Sequence, residues 1–328
     1  NKIENTTLKI QDLSQDIGDK EKSINNNVAT VRQGLRTMNE LEDQSIVETL
    51  LSDEDYGTVW IELDHMVSVR DNLRQATTKL RATKNVLEDT RAETIAAKNE
   101  LTKLKTQLAD QRKIVLQNTE EKNKLLKQTQ NNEAAYQTLL KTRLAQKEAF
   151  EKELEAFEAQ LKFILDPAQI PKGRMLSWPL EKILVTSPYA PRWGGFHRGT
   201  DFRASVGTQV KAVADGVVGG TGDTDLCCPG ASFGKWIFIE HNNGLSTTYA
   251  HLSLISVKKG QKVARGQLIG YSGNTGSSTG PHLHLSLYIS SGVKVASFPS
   301  KSYPGKTLIQ PISATEAYLD PMKYLPPL

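Results

Sequence analysis

Five of the six histidines in this 328-residue sequence lie in its second half, and their spacing carries chemistry. Residues 282–289 read His-Leu-His-Leu-Ser-Leu-Tyr-Ile, a strict alternation of polar and apolar side chains. Successive side chains of a strand point to opposite faces, so Leu283, Leu285, Leu287 and Ile289 are expected in a core. His282, His284, Ser286 and Tyr288 then share the other face. Two imidazoles at i,i+2 on a groove-lining strand suit metal binding or proton transfer, and they follow directly on a glycine-rich loop, residues 272–281. His197 and Asp201, in His197-Arg-Gly-Thr-Asp201, can meet at one metal if the chain bends at Gly199. In Leu245-Ser-Thr-Thr-Tyr-Ala-His251 the same parity puts Thr247, Tyr249 and His251 on one face. His241, ahead of Asn242-Asn-Gly244, reads as a surface or turn residue, and His65 as a packing or surface residue of a helix.

Zinc favours imidazole and carboxylate ligands, and a catalytic zinc keeps one position open for water. Two histidines and one aspartate meet that requirement and leave further histidines for proton transfer. No H-E-x-x-H helix and no G-x-S-x-G elbow occurs, which excludes the helical zinc-protease arrangement and leaves serine chemistry unsupported. Cys227 and Cys228 are adjacent and have no other cysteine as partner. They read as two thiols or a vicinal bond in a surface loop, not as a nucleophile.

The elements that must position these residues divide sharply along the chain. None of the 13 prolines precedes Pro167, and 20 of the 23 glycines follow it. Helix interiors exclude proline and penalise glycine, so residues 1–166 are composed like long helices. Apolar residues recur there at three- and four-residue steps, as in Ile24, Val28, Val31, Leu35, Met38, or Leu101, Leu104, Leu108, Val115, or Phe150, Leu154, Phe157, Leu161, Ile164. That rhythm is a coiled-coil seam. A helix over 58–130 would run about 110 Å. Changes of pattern predict a hairpin tip at about 44–57, with chain reversal at Gly57, and a bend at 128–132 before a separate arm, 133–166. Beyond a linker at 167–176, residues 177–328 alternate short Val/Ile/Thr/aromatic runs with turns and predict a mostly antiparallel β domain. The expected fold class is thus a long antiparallel helical coiled coil followed by a β domain.

Charge divides at the same border: 25 Lys+Arg against 29 Asp+Glu before residue 167, and 16 against 8 after it. The basic half has no Arg-rich or aromatic-interleaved run, which argues against nucleic acid and suits an anionic polymer such as a cell wall. No apolar run approaches the ~20 residues of a membrane span.

The second half resembles the LytM/lysostaphin-type zinc metallopeptidases that cut peptide cross-links in bacterial peptidoglycan. The resemblance runs from Ser177-Trp-Pro179 to Asp320-Pro-Met-Lys-Tyr-Leu325. It is carried by Ser187-Pro-Tyr-Ala-Pro-Arg192, His197…Asp201, Thr248-Tyr-Ala-His-Leu252, residues 263–270 and Gly273-Asn-Thr-Gly…Thr279-Gly-Pro-His-Leu-His284. It implies one zinc held by His197, Asp201 and His284, with His251 and His282 as catalytic histidines. Arg192 and Asn274 sit in motifs that border the groove and, with Tyr249, are expected to contact substrate. The chain departs from the pattern in Leu-Ser-Leu after His284, in an expanded loop at 221–232 that holds the cysteines, and in a long tail at 290–317.

The first half resembles the coiled-coil region of EnvC/PcsB-like division proteins, through Glu48-Thr-Leu-Leu-Ser52 and residues 125–137. This implies an extracytoplasmic bacterial protein that works in cell division, a rod engaging an FtsEX-type complex, and an arm able to occlude the groove. The expected function is a zinc-dependent peptidoglycan endopeptidase. The alternative is a non-catalytic activator that switches on another wall hydrolase.

Overall fold

A computed structural model describes residues 2–42, 56–129, 133–164, 170–192 and 195–328. Long helices occupy the first half, Lys2–Glu42, Tyr56–Thr129 and Glu133–Glu158, and an antiparallel β domain follows. No described helix is long and apolar enough to cross a membrane. The chain forms two compact units, Asn1–Ala109 and Asp110–Leu328.

In the first unit the two long helices pair antiparallel. Arg91 reaches Glu21 at 2.7 Å and Lys9 reaches Glu93 at 2.8 Å. These are exposed pairs that set register more than stability. The buried seam is made of small and aliphatic residues, Ala76, Leu87, Thr90, Thr94 and Ala97. Thr90 and Thr94 sit there because each hydroxyl donates to the carbonyl four residues back, at 2.8 and 2.7 Å. Gly34 lets the helices approach, since a Cβ there would lie 2.7 Å from the Leu73 side chain. The predicted tip at 44–57 lies outside the described residues except at its end. There Gly57 is part of the second helix and is not a reversal point.

The second unit contains the end of the second helix, the third helix and the sheet. Ile114 packs with Leu254 and Tyr271, the Tyr271 hydroxyl donates to Asp110 at 3.0 Å, and Gln111 donates to the Gly207 carbonyl at 2.9 Å. The central sheet runs in the order Val185–Ser187, Thr200–Arg203, His282–Ile289, Leu245–Ile255, Lys235–His241, Gly216–Asp223 and Lys262–Val263, all antiparallel. Leu283, Leu285 and Leu287 enter its main core with Phe202, Ile237, Ile239, Leu252 and Ile269. Burial of such side chains contributes about 1.5–3 kcal/mol each, which anchors the strand that carries His282 and His284.

A separate hairpin, Val293–Ser300 with Lys306–Ser313, stands off this sheet and receives the third helix. Phe150 meets Phe298 edge-on at 5.8 Å, and Phe157 meets the same ring at 5.0 Å. Leu154 and Leu161 complete the contact, whereas Ile164 is exposed. The apolar repeat at 150–161 therefore packs on a β hairpin and not in a helical seam. The Glu153 carboxylate accepts from the backbone of Lys301 and Ser302 and from the hydroxyls of Ser300 and Ser302. Cys227 and Cys228 are free thiols. Cys228 is wholly buried in this contact, and burial pushes its pKa up to about 12.

Candidate metal centre and groove

The Thr200–Arg203 and His282–Ile289 strands are hydrogen-bonded neighbours, with Asp201 opposite His284 in register. His197 enters from the preceding strand, Gly195–His197, around a bend at Gly199. A Cβ on Gly199 would run into the His284 ring and the Leu285 carbonyl, so only glycine lets the turn lie under that imidazole. Asp201 Oδ1 is 3.2 Å from His197 Nε2 and 2.9 Å from His284 Nδ1, and those two nitrogens are 3.1 Å apart.

The other ring nitrogens fix these orientations. His197 Nδ1 lies 2.8 Å from the Pro188 carbonyl, an acceptor, so it carries the hydrogen and leaves Nε2 as the lone pair. His284 Nε2 pairs with the Ser286 hydroxyl at 2.8 Å, which leaves Nδ1 facing inward. Such outer partners orient metal-binding imidazoles. Burial holds the His284 pKa below its ordinary value. Burial alone would raise the Asp201 carboxyl, but hydrogen bonds and charge from His197 and His284 outweigh it and hold it far below the usual range. One ligand atom from each of His197, Asp201 and His284 lies within 4.8 Å of the others. Two imidazole nitrogens and a half-buried carboxylate oxygen, with outer partners on the imidazoles in place, fit the donor set of a three-ligand zinc site.

His251 and His282 flank this cluster, their ring centroids 4.6 Å apart. Both commit Nδ1 to a carbonyl, His251 to Thr275 at 2.8 Å and His282 to Gly280 at 2.7 Å, which leaves Nε2 of each for the site, that of His282 lying 3.6 Å from Asp201 Oδ1. His251 has φ of +60°, an unusual conformation for a residue with a side chain. Its pKa is held well below the ordinary histidine value, first by burial and then by the neighbouring His284 and His282.

The strand parity of the sequence fails at this residue. Register along Lys235–His241 slips between Lys235 and Ile237, opposite Leu252 and Tyr249, so the Leu245–Ile255 strand bulges between them. His251 turns to the site while Tyr249 enters the hydrophobic core, wholly buried, its hydroxyl accepting from the Val213 N–H at 2.9 Å. The expected substrate contact at Tyr249 is therefore overturned. His241 is likewise buried rather than exposed. Its Nδ1 pairs with the Asp215 carbonyl and its Nε2 with Thr247, and burial lowers its pKa to about 4.

A cavity of about 210 Å³ joins His197, Asp201, His251, His282 and His284, with Arg192 in its wall. Asn274 is exposed and does not line the cavity; its side-chain carbonyl accepts from Ser278 at 2.7 Å. The opposite wall is the third helix. Glu151 accepts from Ser277 of the glycine-rich loop at 2.6 Å, and Glu155 and Glu158 face Arg198. Arg198 and the four glutamates at 151, 153, 155 and 158 carried no role in the sequence reading. A glutamate run resembles a solvated helix face, and its one visible signal is a spacing that flanks Phe150, Leu154 and Phe157.

Residues 195–296 match the model of Peptidase family M23. Curated relatives include the peptidoglycan DD-endopeptidase ShyA of Vibrio cholerae, 49% identical over 105 residues, covering 32% of this chain and 22% of the relative. The glycyl-glycine endopeptidase ALE-1 of Staphylococcus capitis is 44% identical over 93 residues, 28% of this chain and 24% of the relative. The chain thus spans about a quarter of the length of these relatives. Among solved structures, the catalytic domain of lysostaphin from Staphylococcus simulans is 32% identical, covering 43% of this chain and 90% of that one, with a TM-score of 0.32.

Proposed function

We propose that this chain, which carries an M23-type domain, is a zinc-dependent peptidoglycan endopeptidase of the bacterial cell envelope, restrained by its own third helix. The observation that supports it is the full set of one carboxylate and four imidazoles around one cavity, three of the rings fixed by Nδ1–H to carbonyl bonds. Peptidoglycan is taken as substrate because ShyA is named a peptidoglycan DD-endopeptidase, and a peptide bond as target because ALE-1 is named a glycyl-glycine endopeptidase.

In this reading His197, Asp201 and His284 hold the metal. Zinc, when bound, supplies Lewis acidity that polarises the scissile carbonyl and acidifies water. His251, kept neutral by burial, accepts a proton at Nε2. His282, across a 4.6 Å gap between ring centroids, is placed to donate one to the leaving amine. Arg192 in the wall and the exposed Asn274 contact the peptide. We assign catalysis to 177–328, with 167–176 as a linker and 1–166 as a regulatory helical region. That helical region is proposed to engage an FtsEX-type division complex, and release of the arm 133–166 opens the groove.

Digestion of purified sacculi by the full chain tests the reading. Zinc binding of about one per chain and release of cross-linked muropeptides, abolished by a chelator, are expected. Zinc-loaded protein that cuts nothing yet activates a separate wall amidase would instead establish the activator role.

A further inference from the structure

The third helix is anchored on the β hairpin by Phe150, Phe157 and the Glu153 clamp. Its Glu151, Glu155 and Glu158 line the cavity, and of these Glu158 is the buried one. It is 3% exposed, and its two oxygens are held separately. Arg198 donates to Oε2 at 3.1 Å, and the Tyr318 hydroxyl donates to Oε1 at 2.8 Å, with a further backbone bond from Ser313. The Arg198 guanidinium also lies 5.5 Å from the centre of the Tyr318 ring, which braces it. Among the described residues, the acidic partners of Arg198, Glu155 and Glu158, both belong to the third helix.

Burying an ion pair costs desolvation that its attraction barely offsets, so Glu158 adds little to an anchor already made by aromatic rings. The donors facing it come from the β domain: Arg198 next to His197, Ser313 and Tyr318 from the tail beyond the matched region 195–296. Withdrawal of the helix removes both acidic partners of Arg198 and leaves its guanidinium, which keeps the Thr315 hydroxyl at 3.5 Å, and the Tyr318 hydroxyl facing the cavity that holds the metal ligands. A guanidinium beside a hydroxyl donor, without its own carboxylate, is a charge-assisted site for another carboxylate.

We infer that Arg198 and Tyr318 form a carboxylate-binding subsite of the groove, which holds a free carboxylate of the peptide substrate and which Glu158 fills as an internal stand-in. The inference rests on the proposed peptidase reading for the identity of its ligand. It places a specificity-determining charge one residue from a metal ligand, at a position that an amidated substrate cannot satisfy.

A pair of fluorescent stem tetrapeptides, C-terminal acid and C-terminal carboxamide, tests it on the zinc-loaded full chain. With Glu158→Lys, whose charge repels Arg198 and frees the site, the acid should bind about tenfold or more tightly than the amide. Adding Arg198→Met should erase that preference. A preference that survives Arg198→Met means the acid is held elsewhere, for instance by the metal, and overturns the inference, as does equal binding of the two probes or no binding of either. The unmutated chain gives a second measurement that needs no variant to fold. The acid should displace Glu158 and speed tryptic cleavage at Lys147 and Lys152, and the amide should not; equal effects would also overturn it. A chain that shows the acid preference but cuts no sacculi keeps the subsite and loses the hydrolase reading.

Discussion

Three of the four site histidines donate Nδ1–H to a backbone carbonyl, of Pro188, Thr275 or Gly280. The fourth, His284, leans on the Ser286 hydroxyl through Nε2. That difference makes Ser286 testable. Ser286→Ala should weaken zinc binding by about 10–100-fold, as loss of an outer partner does, with the fold unchanged by circular dichroism. Unaltered affinity in a chelator competition would show that the hydroxyl does not orient the ring. His251→Ala should separate the two roles proposed for the imidazoles. It should retain zinc while kcat on cross-linked muropeptides falls about 10²–10⁴-fold; loss of metal instead would make His251 a ligand. Much of this site was legible in the sequence, since the parity of residues 282–289 sets His282 and His284 against the leucine face. Tyr249 was misplaced because parity assumes an unbroken strand. The bulge before Leu252 rotates His251 out of phase with it, and no residue type in Thr248-Tyr-Ala-His251 announces that.

At the scale of elements, two of the three places where the sequence departs from the LytM/lysostaphin-type pattern come together. The loop at 221–232 contributes Cys228 and Ala231, and the tail at 290–317 contributes Phe298, Tyr303, Leu308 and Ile312, to one cluster around Phe150. The spacing of the apolar repeat at 150–161 was legible, but its partner was not. Three- and four-residue steps fix a helix face, and a helix face packs as readily on a hairpin as on another helix. Phe150 is wholly buried there. Its replacement by alanine should weaken docking of the arm by up to about 3–5 kcal/mol, the range for buried phenylalanine. The expected results are faster tryptic cleavage at Lys147 and Lys152 and a higher rate of sacculus digestion than the unmutated chain. Faster proteolysis with no change in digestion would mean that the arm does not restrain the groove.

Over the whole molecule, docking of the arm is linked to protons through two glutamates that act in opposite directions. Burial raises Glu158 from 4.5 to about 7, against the pull of Tyr318 and Arg198, while Glu155 adds to the rise. A carboxyl with a raised pKa in the docked state contributes docking that is complete below 4.5 and is lost as pH rises through about 7. Burial would raise Glu153 as well, but the Lys301 and Ser302 backbone groups and the Ser302 and Ser300 hydroxyls lower it below 4.5. Its contribution is present above 4.5 and fades only in stronger acid. Of these two glutamates only Glu158 changes its contribution between pH 4.5 and 7, so its share of the docking should weaken steadily as pH rises through that window. Proteolysis of the arm in the full chain, divided at each pH by the rate for Glu158→Gln, cancels the pH profile of the protease. The ratio should rise from pH 5 to pH 8 and then level off. A flat ratio would mean that Glu158 docks fully ionised and that its partners, Arg198 and Tyr318, offset the whole cost of burying the charge.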